Sequence, residues 1–408
     1  MLKRTMMAGV AAVAALALAA CSSGGGDGSD GGSASGDTIK IGVAVPLTGQ
    51  LASFAPIFEL GYGQLVDDVN AAGGIEIDGE ARQVELVIRD SESDSTKVAE
   101  AVRSLVLDDG VVALLGSVTP PLQVPASAAA EAEGIPFVGT LTPLQSWLAG
   151  NPEGWKYAWN FFFDEPEMTQ LQFKTSDLAD TNKKVALFTD NAEDGTVMGG
   201  LWEANAPEFG YDIVYRATFP VGTTDYSQYI NELKASGAEI VISQMTPPDA
   251  MALWKQLKAA NVGLKLAFAE KSAASLAWPG ELGEIAEGTI ITDYFKASDN
   301  PKGAELRELW ADSLGGYNVE SAGAVLAYSA AQVLTDAIAR AGSLDPDAIN
   351  EEIAKTSGLY PSGDVIEFGE NHASKIEVVA TQWTGTDTLQ VFPKVDGVTL
   401  SVPVKGLQ

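Results

Sequence analysis

Short apolar runs rich in β-branched residues recur along the chain, each followed by a stretch of helical periodicity. Ile39-Lys-Ile-Gly-Val-Ala-Val45 ends at Pro46 and reads as a buried strand. Helical spacing over 57–72 follows and stops at Gly73-Gly74. The alternation continues with strands at 84–89, 111–115 and 135–138 and helices at 95–109 and 122–133. A second series places strands at 184–188, 212–218, 239–243, 264–268 and 289–293, with helices at 195–207, 226–236 and 248–260. Strands separated by single helices form parallel sheets with right-handed crossovers. Two such series predict an α/β protein of two Rossmann-like lobes joined by a hinge. Residues 155–163 are the expected first crossing between lobes, helices at 301–313 and 323–341 return to the first lobe, and strands at 376–383 and 389–392 close the second. The first lobe is thus expected to span 38–162 plus 294–372, and the second 163–293 plus 373–408. Repeated crossings suit closure about a hinge.

The first twenty residues follow a different rule. Lys3 and Arg4 precede an apolar run over 8–20, too short for the roughly 20 residues that span a bilayer, so residues 1–20 read as a signal peptide. The run ends in Leu18-Ala19-Ala20-Cys21, which resembles the lipobox of bacterial lipoproteins and implies acylation of Cys21, the one cysteine of the chain. An ordinary signal peptide ending near a cysteine is the competing reading. Residues 22–36, SSGGGDGSDGGSASG, carry nothing larger than alanine that is apolar, so 21–37 is an acylated cysteine and a flexible tether. Fifteen such residues reach ~20 Å. The expectation is an extracytoplasmic body held to a bacterial membrane.

Charge narrows the partners. The 408 residues carry a formal charge of −30, with 55 acidic against 25 basic side chains. Nucleic acid, whose phosphates require Lys and Arg, is excluded, and direct docking on an anionic membrane surface is disfavoured. A monomer is expected. No cofactor motif is present.

Several segments together carry a family resemblance. IKIGVAVPLTGQLASFAPIFELGYGQLVDDVNAAGGI opens the body; GVVALLGSVTPPLQVPASAAAEAEGIPFVG follows; KKVALFTDNAEDG and TTDYSQYINELKASGAEIVIS begin the second series. In order and spacing they resemble the type I periplasmic solute-binding proteins, in the branch of the leucine/isoleucine/valine-binding proteins, over roughly residues 38 to 385. The resemblance implies capture of an amino acid, amide, amine or similar small polar solute between the lobes, and delivery to an ABC transporter permease. A lipoprotein sensor feeding a signalling receptor is the alternative.

The resemblance also implies contacts. Small hydroxyls before a helix hold a ligand carboxylate in the family; here Ser117 and Thr119 are at hand, Pro120 occupies the usual serine position, and helix capping is the plain alternative. Thr140 and Thr142 correspond approximately to a loop that touches the ligand's polar head, with Pro143 replacing a threonine. Phe54 matches an aromatic that leans over the ligand, or else packs in the core. Asp194 and Thr246 fall on positions that the amino-acid binders fill with aromatic rings. Glu270 falls on the acid that pairs with a ligand ammonium; Lys271 is its alternative partner.

An enzyme is not expected. His372, the single histidine, lies in a polar stretch and reads as solvated. No nucleophile elbow, phosphate loop or dinucleotide fingerprint is present, and no paired His or Cys ligands mark a metal site. Asp90-Ser-Glu-Ser-Asp94 reads as a turn rather than a calcium loop, lacking its glycine and terminal glutamate.

Overall fold

The computed structural model describes residues 38–294, 300–314 and 318–408; the signal segment, Cys21 and the tether through 37 lie outside the described residues. Two large sheets organise the body. The Ile39–Val45 strand is buried along nearly its whole length because parallel strands flank it on both sides, Val84–Asp90 and Ala113–Leu115. Helices cover both faces of such a sheet, so its strands read as continuous apolar runs.

Across the first sheet the order is Ala373–Lys375, Ala158–Phe162, Phe137–Gly139, Ala113–Leu115, Ile39–Val45 and Val84–Asp90, all parallel. The second runs Asp387–Phe392, Val379–Thr384, Ile290–Asp293, Leu266–Glu270, Ile240–Gln244, Lys184–Asp190 and Asp212–Phe219. Its first two members are antiparallel, joined by the tight Gly385-Thr386 turn with Gly385 at φ +62°. In each sheet the first strand of its series lies between the second and the third. The chain therefore winds one way and then the other, which opens a crevice at the carboxyl ends of Ile39–Val45 with Ala113–Leu115, and of Lys184–Asp190 with Ile240–Gln244.

Three elements depart from expectation. Ala373–Lys375, placed by sequence in the second lobe, pairs with Asn160–Phe162 of the first sheet; a three-residue strand has too little pattern to be assigned by periodicity. The crossing segment holds a strand, Ala158–Phe162, and leads into an unforeseen helix, Glu165–Ser176. The helix Val319–Ala341 begins before the expected 323, because Asn318 caps it by accepting the Glu320 and Ser321 N–H groups at 3.0 and 3.2 Å.

That helix packs against Ala55–Ala71, closely enough that a Cβ on Gly61 would stand 2.4 Å from the Ala324 carbonyl oxygen. Gly61→Ala gains about 1 kcal/mol of helix propensity but must push backbone apart, an overpacking cost of ~1–3 kcal/mol. Because the clash is with main chain, a lowered urea midpoint is expected; an unchanged or raised one would show that the two helices slide freely.

Candidate functional site

The strand ends of both sheets converge on one cavity, with about 630 Å³ of space free of protein atoms and open to solvent at its rim. From the first lobe come Phe54 and Ile57 at the start of Ala55–Ala71, Val118 to Pro120 after Ala113–Leu115, Leu141 and Pro143 after Phe137–Gly139, and Phe162, followed by Phe163 where the chain crosses. The second supplies Met168, Asp194, Met198, Gln244, Glu270, Lys271 and Thr292. Phe163 stacks on Tyr294 at 6.0 Å between ring centroids and Phe162 meets the same ring tilted at 4.7 Å, so the aromatic cluster at two chain crossings is also a cavity wall. Trp155 and Trp159 instead pack away from it, on Trp147 and on His372.

Left-handed backbone shapes this wall. Thr119, Leu141 and Lys271 have φ of +58°, +60° and +57°. In a regular strand consecutive residues face opposite sides; the turn at Lys271 breaks that alternation, so Glu270 and Lys271 both face the cavity. At Leu141 the effect is to bring the leucine inward, between Thr140 and Thr142. Such conformations cost of order 1–3 kcal/mol each and gather where a site requires them.

The residues singled out from sequence divide into two layers. Phe54, Thr119, Asp194 and Glu270 line the cavity. Ser117, Thr140, Thr142 and Thr246 are buried but are not part of its lining. Thr246 precedes the Pro247–Ala259 helix and gives its N–H to Asp190 Oδ2 at 3.0 Å. The hydroxyls of Ser117, Thr119, Thr140 and Thr142 are buried with no protein partner, as are Asp194 Oδ1 and Gln244 Oε1. Unmet groups of this kind are rare in folded proteins and require an explanation.

Sequence reading missed the centre of the polar wall. Lys271, its side chain 8 % exposed, bonds Asp194 Oδ2 at 2.6 Å and stands 3.9 Å from Asp190 Oδ2. Burial opposes the ammonium charge, but Asp194 and Asp190 outweigh it and hold its pKa above the ordinary lysine value. Burial raises the Asp190 carboxyl, while Lys271 and the N–H groups of Ala192 and Thr246 pull it back. Gln244 ends the strand beside Glu270 and donates to Asp194 Oδ2 at 3.0 Å. A signal existed for Gln244, as the residue directly after the predicted strand 239–243, at the carboxyl-end crevice. For Lys271 there was none, since its inward turn rests on an unusual φ.

Glu270 is 1 % exposed and its partner is not a cation. Its oxygens accept from Gln172 Nε2 at 2.7 Å and the Thr292 N–H at 3.0 Å. Burial lifts its pKa to about 7 against those hydrogen bonds. His372, expected in solvent, stacks on Trp159 at 3.6 Å and 8°, with Nδ1 3.2 Å from the Ala158 carbonyl, and burial lowers its pKa. Asp94 caps the Ser95–Leu107 helix through the Thr96 and Lys97 N–H groups.

Two hinged α/β lobes with a cavity at the carboxyl ends of the parallel strands of both sheets define a ligand-capturing class of protein. The chain belongs to the periplasmic binding protein family, whose model matches residues 38–387. That family is one of solute-binding proteins rather than enzymes, and membership implies an extracytoplasmic location. The chain is 25 % identical over 339 residues to the leucine-, isoleucine-, valine-, threonine- and alanine-binding protein of Pseudomonas aeruginosa, covering 82 % of this chain and 86 % of that one. Its fold matches the branched-chain amino acid transporter substrate-binding protein LivJ of Streptococcus pneumoniae, solved with isoleucine, at a TM-score of 0.75 and 21 % identity over 87 % of this chain and all of that one. An ABC transporter solute-binding protein of R. palustris, solved with benzoate, matches at a TM-score of 0.74 and 17 % identity over 87 % of this chain and 96 % of that one.

Proposed function

We propose that this chain is a non-enzymatic, monomeric lipoprotein, anchored through Cys21, that traps an amino acid, amide or amine in the cavity and delivers it to an ABC transporter permease. The observation that carries the reading is a cavity built from both lobes whose wall holds buried polar atoms with no protein partner. The amino acids named for two relatives support the ligand class, and the transporters named for the solved structures support the delivery step. Residues 38–162 with 294–375 form one lobe and 163–293 with 376–408 the other, and their closure encloses the solute. Phe54, Thr119, Asp194 and Glu270 are contacts, with Ser117, Thr140, Thr142 and Thr246 supporting them from behind. The lobes already touch through the Glu320 carboxylate, which accepts the Leu276 N–H at 2.7 Å, and through Asn318 Nδ2, which donates to the Thr386 carbonyl at 3.0 Å.

A solute panel tested by thermal unfolding checks the reading. A ligand at about 100 times its Kd stabilises the native state by about 2.7 kcal/mol. Small-angle scattering with the best hit is expected to show a smaller radius of gyration. A panel without a single shift, together with an unchanged scattering profile, sinks it. Cys21→Ser is expected to release the protein from membranes, and a variant that stays bound would rule out the anchor.

A further inference from the structure

The cavity has two chemically unlike ends, and their difference defines a ligand. Toward the first lobe the wall is apolar apart from Thr119 and Tyr294: Phe54, Ile57, Leu141, Phe162 and Val319, with Phe163 beside them at the crossing. The helix Thr119–Glu133 opens onto this end, and a helix start ordinarily offers four free N–H groups to an anion. Here Pro120 and Pro121 have no N–H, and Thr119 gives its own to the Leu141 carbonyl at 3.1 Å. Three of the four donors are gone, so a carboxylate finds little to hold it there.

The second lobe presents the reverse. Asp194 Oδ2 takes both the Lys271 ammonium at 2.6 Å and the Gln244 amide nitrogen at 3.0 Å. A carboxylate only accepts, so this contact fixes the amide orientation and leaves Gln244 Oε1 as an acceptor without a donor. Asp194 Oδ1 and Gln244 Oε1 remain, both on residues at least nine-tenths buried, both on the lining, both acceptors without a protein partner. Charge points the same way. Among the described lining residues Lys271 is the one cation, and it is shared by Asp190 and Asp194, leaving a negative charge over. Glu270 is not the open acceptor, because Gln172 and Thr292 already donate to it.

We infer that the cavity selects an organic cation: a primary ammonium head on Asp194 Oδ1 and Gln244 Oε1, an apolar body of about one ring against the first lobe, and no α-carboxylate. The inference rests on the capture reading above and narrows it. An α-amino acid would bring a carboxylate to the end that has lost its donors. The ammonium completes the charge balance and gives both acceptors a hydrogen.

Calorimetry on the full-length protein tests it with four probes: 2-phenylethylamine, phenylacetate, L-phenylalanine and L-leucine. The amine is expected to bind, phenylacetate to give no heat, and L-phenylalanine to bind roughly ten-fold or more weaker than the amine, the scale of one charge-assisted hydrogen bond. Asp194→Asn is expected to weaken the amine by roughly ten-fold or more. Gln244→Met, which leaves the Lys271–Asp194 pair intact, is expected to do so as well, and serves if the first variant does not fold. Glu270→Gln, at a lining carboxylate whose oxygens already accept from Gln172 and Thr292, is expected to weaken the amine less than Asp194→Asn does. Silence from 2-phenylethylamine overturns the inference. If phenylacetate or leucine then binds and compacts the protein, capture stands and only the head-group assignment falls. If Glu270→Gln abolishes amine binding while Asp194→Asn does not, the ammonium belongs to Glu270 and the inference also fails.

Discussion

Lys271→Met is expected to destabilise the protein by ~3–5 kcal/mol at neutral pH, the cost of removing one partner from a buried ion pair. Methionine keeps the length and apolar stem of the side chain but leaves Asp190 and Asp194, both almost fully buried, without their ammonium. Against a typical total of 5–15 kcal/mol, such a loss is a large fraction of the whole. The deficit has a predicted pH dependence. Burial already raises the Asp190 carboxyl, and without Lys271 it rises further, so acidification protonates it in the folded state and relieves the unpaired charge. Guanidinium titrations of both proteins are thus expected to show the gap widest near pH 8 and narrower near pH 5. Lys271→Met combined with Asp194→Asn is expected to recover part of the loss. A gap under about 1 kcal/mol at every pH would mean that the carboxylates are as well solvated as a surface pair.

Glu270 is expected to give the second large effect. Its folded pKa is about 7 against an ordinary 4.5, because burial penalises the carboxylate. The folded state therefore holds the proton more tightly than the unfolded chain. Its contribution is most favourable below pH 4.5, declines as the pH rises toward 7, and is flat beyond. The span is on the order of 3 kcal/mol at 1.36 kcal/mol per pKa unit. Glu270→Gln cannot ionise, so its stability relative to the native protein is expected to rise by about 3 kcal/mol between pH 4.5 and 8. All other carboxylates are common to both proteins and cancel in the comparison. Equal pH slopes would show that Glu270 titrates like an exposed acid.

The two-lobed fold was legible because buried parallel strands leave a simple mark: the Ile39–Val45 and Ile240–Gln244 runs are apolar or uncharged nearly throughout and bounded by turn residues. The helix Glu165–Ser176 left no such mark. It buries Glu165, Thr169, Gln172, Thr175 and Ser176 along with its apolar residues, so no polar face alternates with an apolar one. The six-residue helix Leu144–Ala149 depends on a distant group: Glu165 accepts the Gln145 and Ser146 N–H groups, each at 2.8 Å. In the cavity, Phe54 and Asp194 were visible through the family resemblance, which places ligand contacts at those positions. Lys271 was not, because its orientation is a property of one backbone angle. Glu270 was placed correctly on its strand end, but its hydrogen-bond partners come from Gln172 and Thr292, too far along the chain for spacing to reveal.

The order in which the strands enter the first sheet has a bearing on biogenesis. Its edge member, Ala373–Lys375, is synthesised more than two hundred residues after the Ala158–Phe162 strand it joins, and the helix that covers Ala55–Ala71 ends only at Ala341. A nascent chain emerging from the ribosome thus lacks the pieces to complete its leading half until translation is nearly finished. A polypeptide bound for the far side of a membrane gains from that delay, since it stays unfolded long enough to be threaded across.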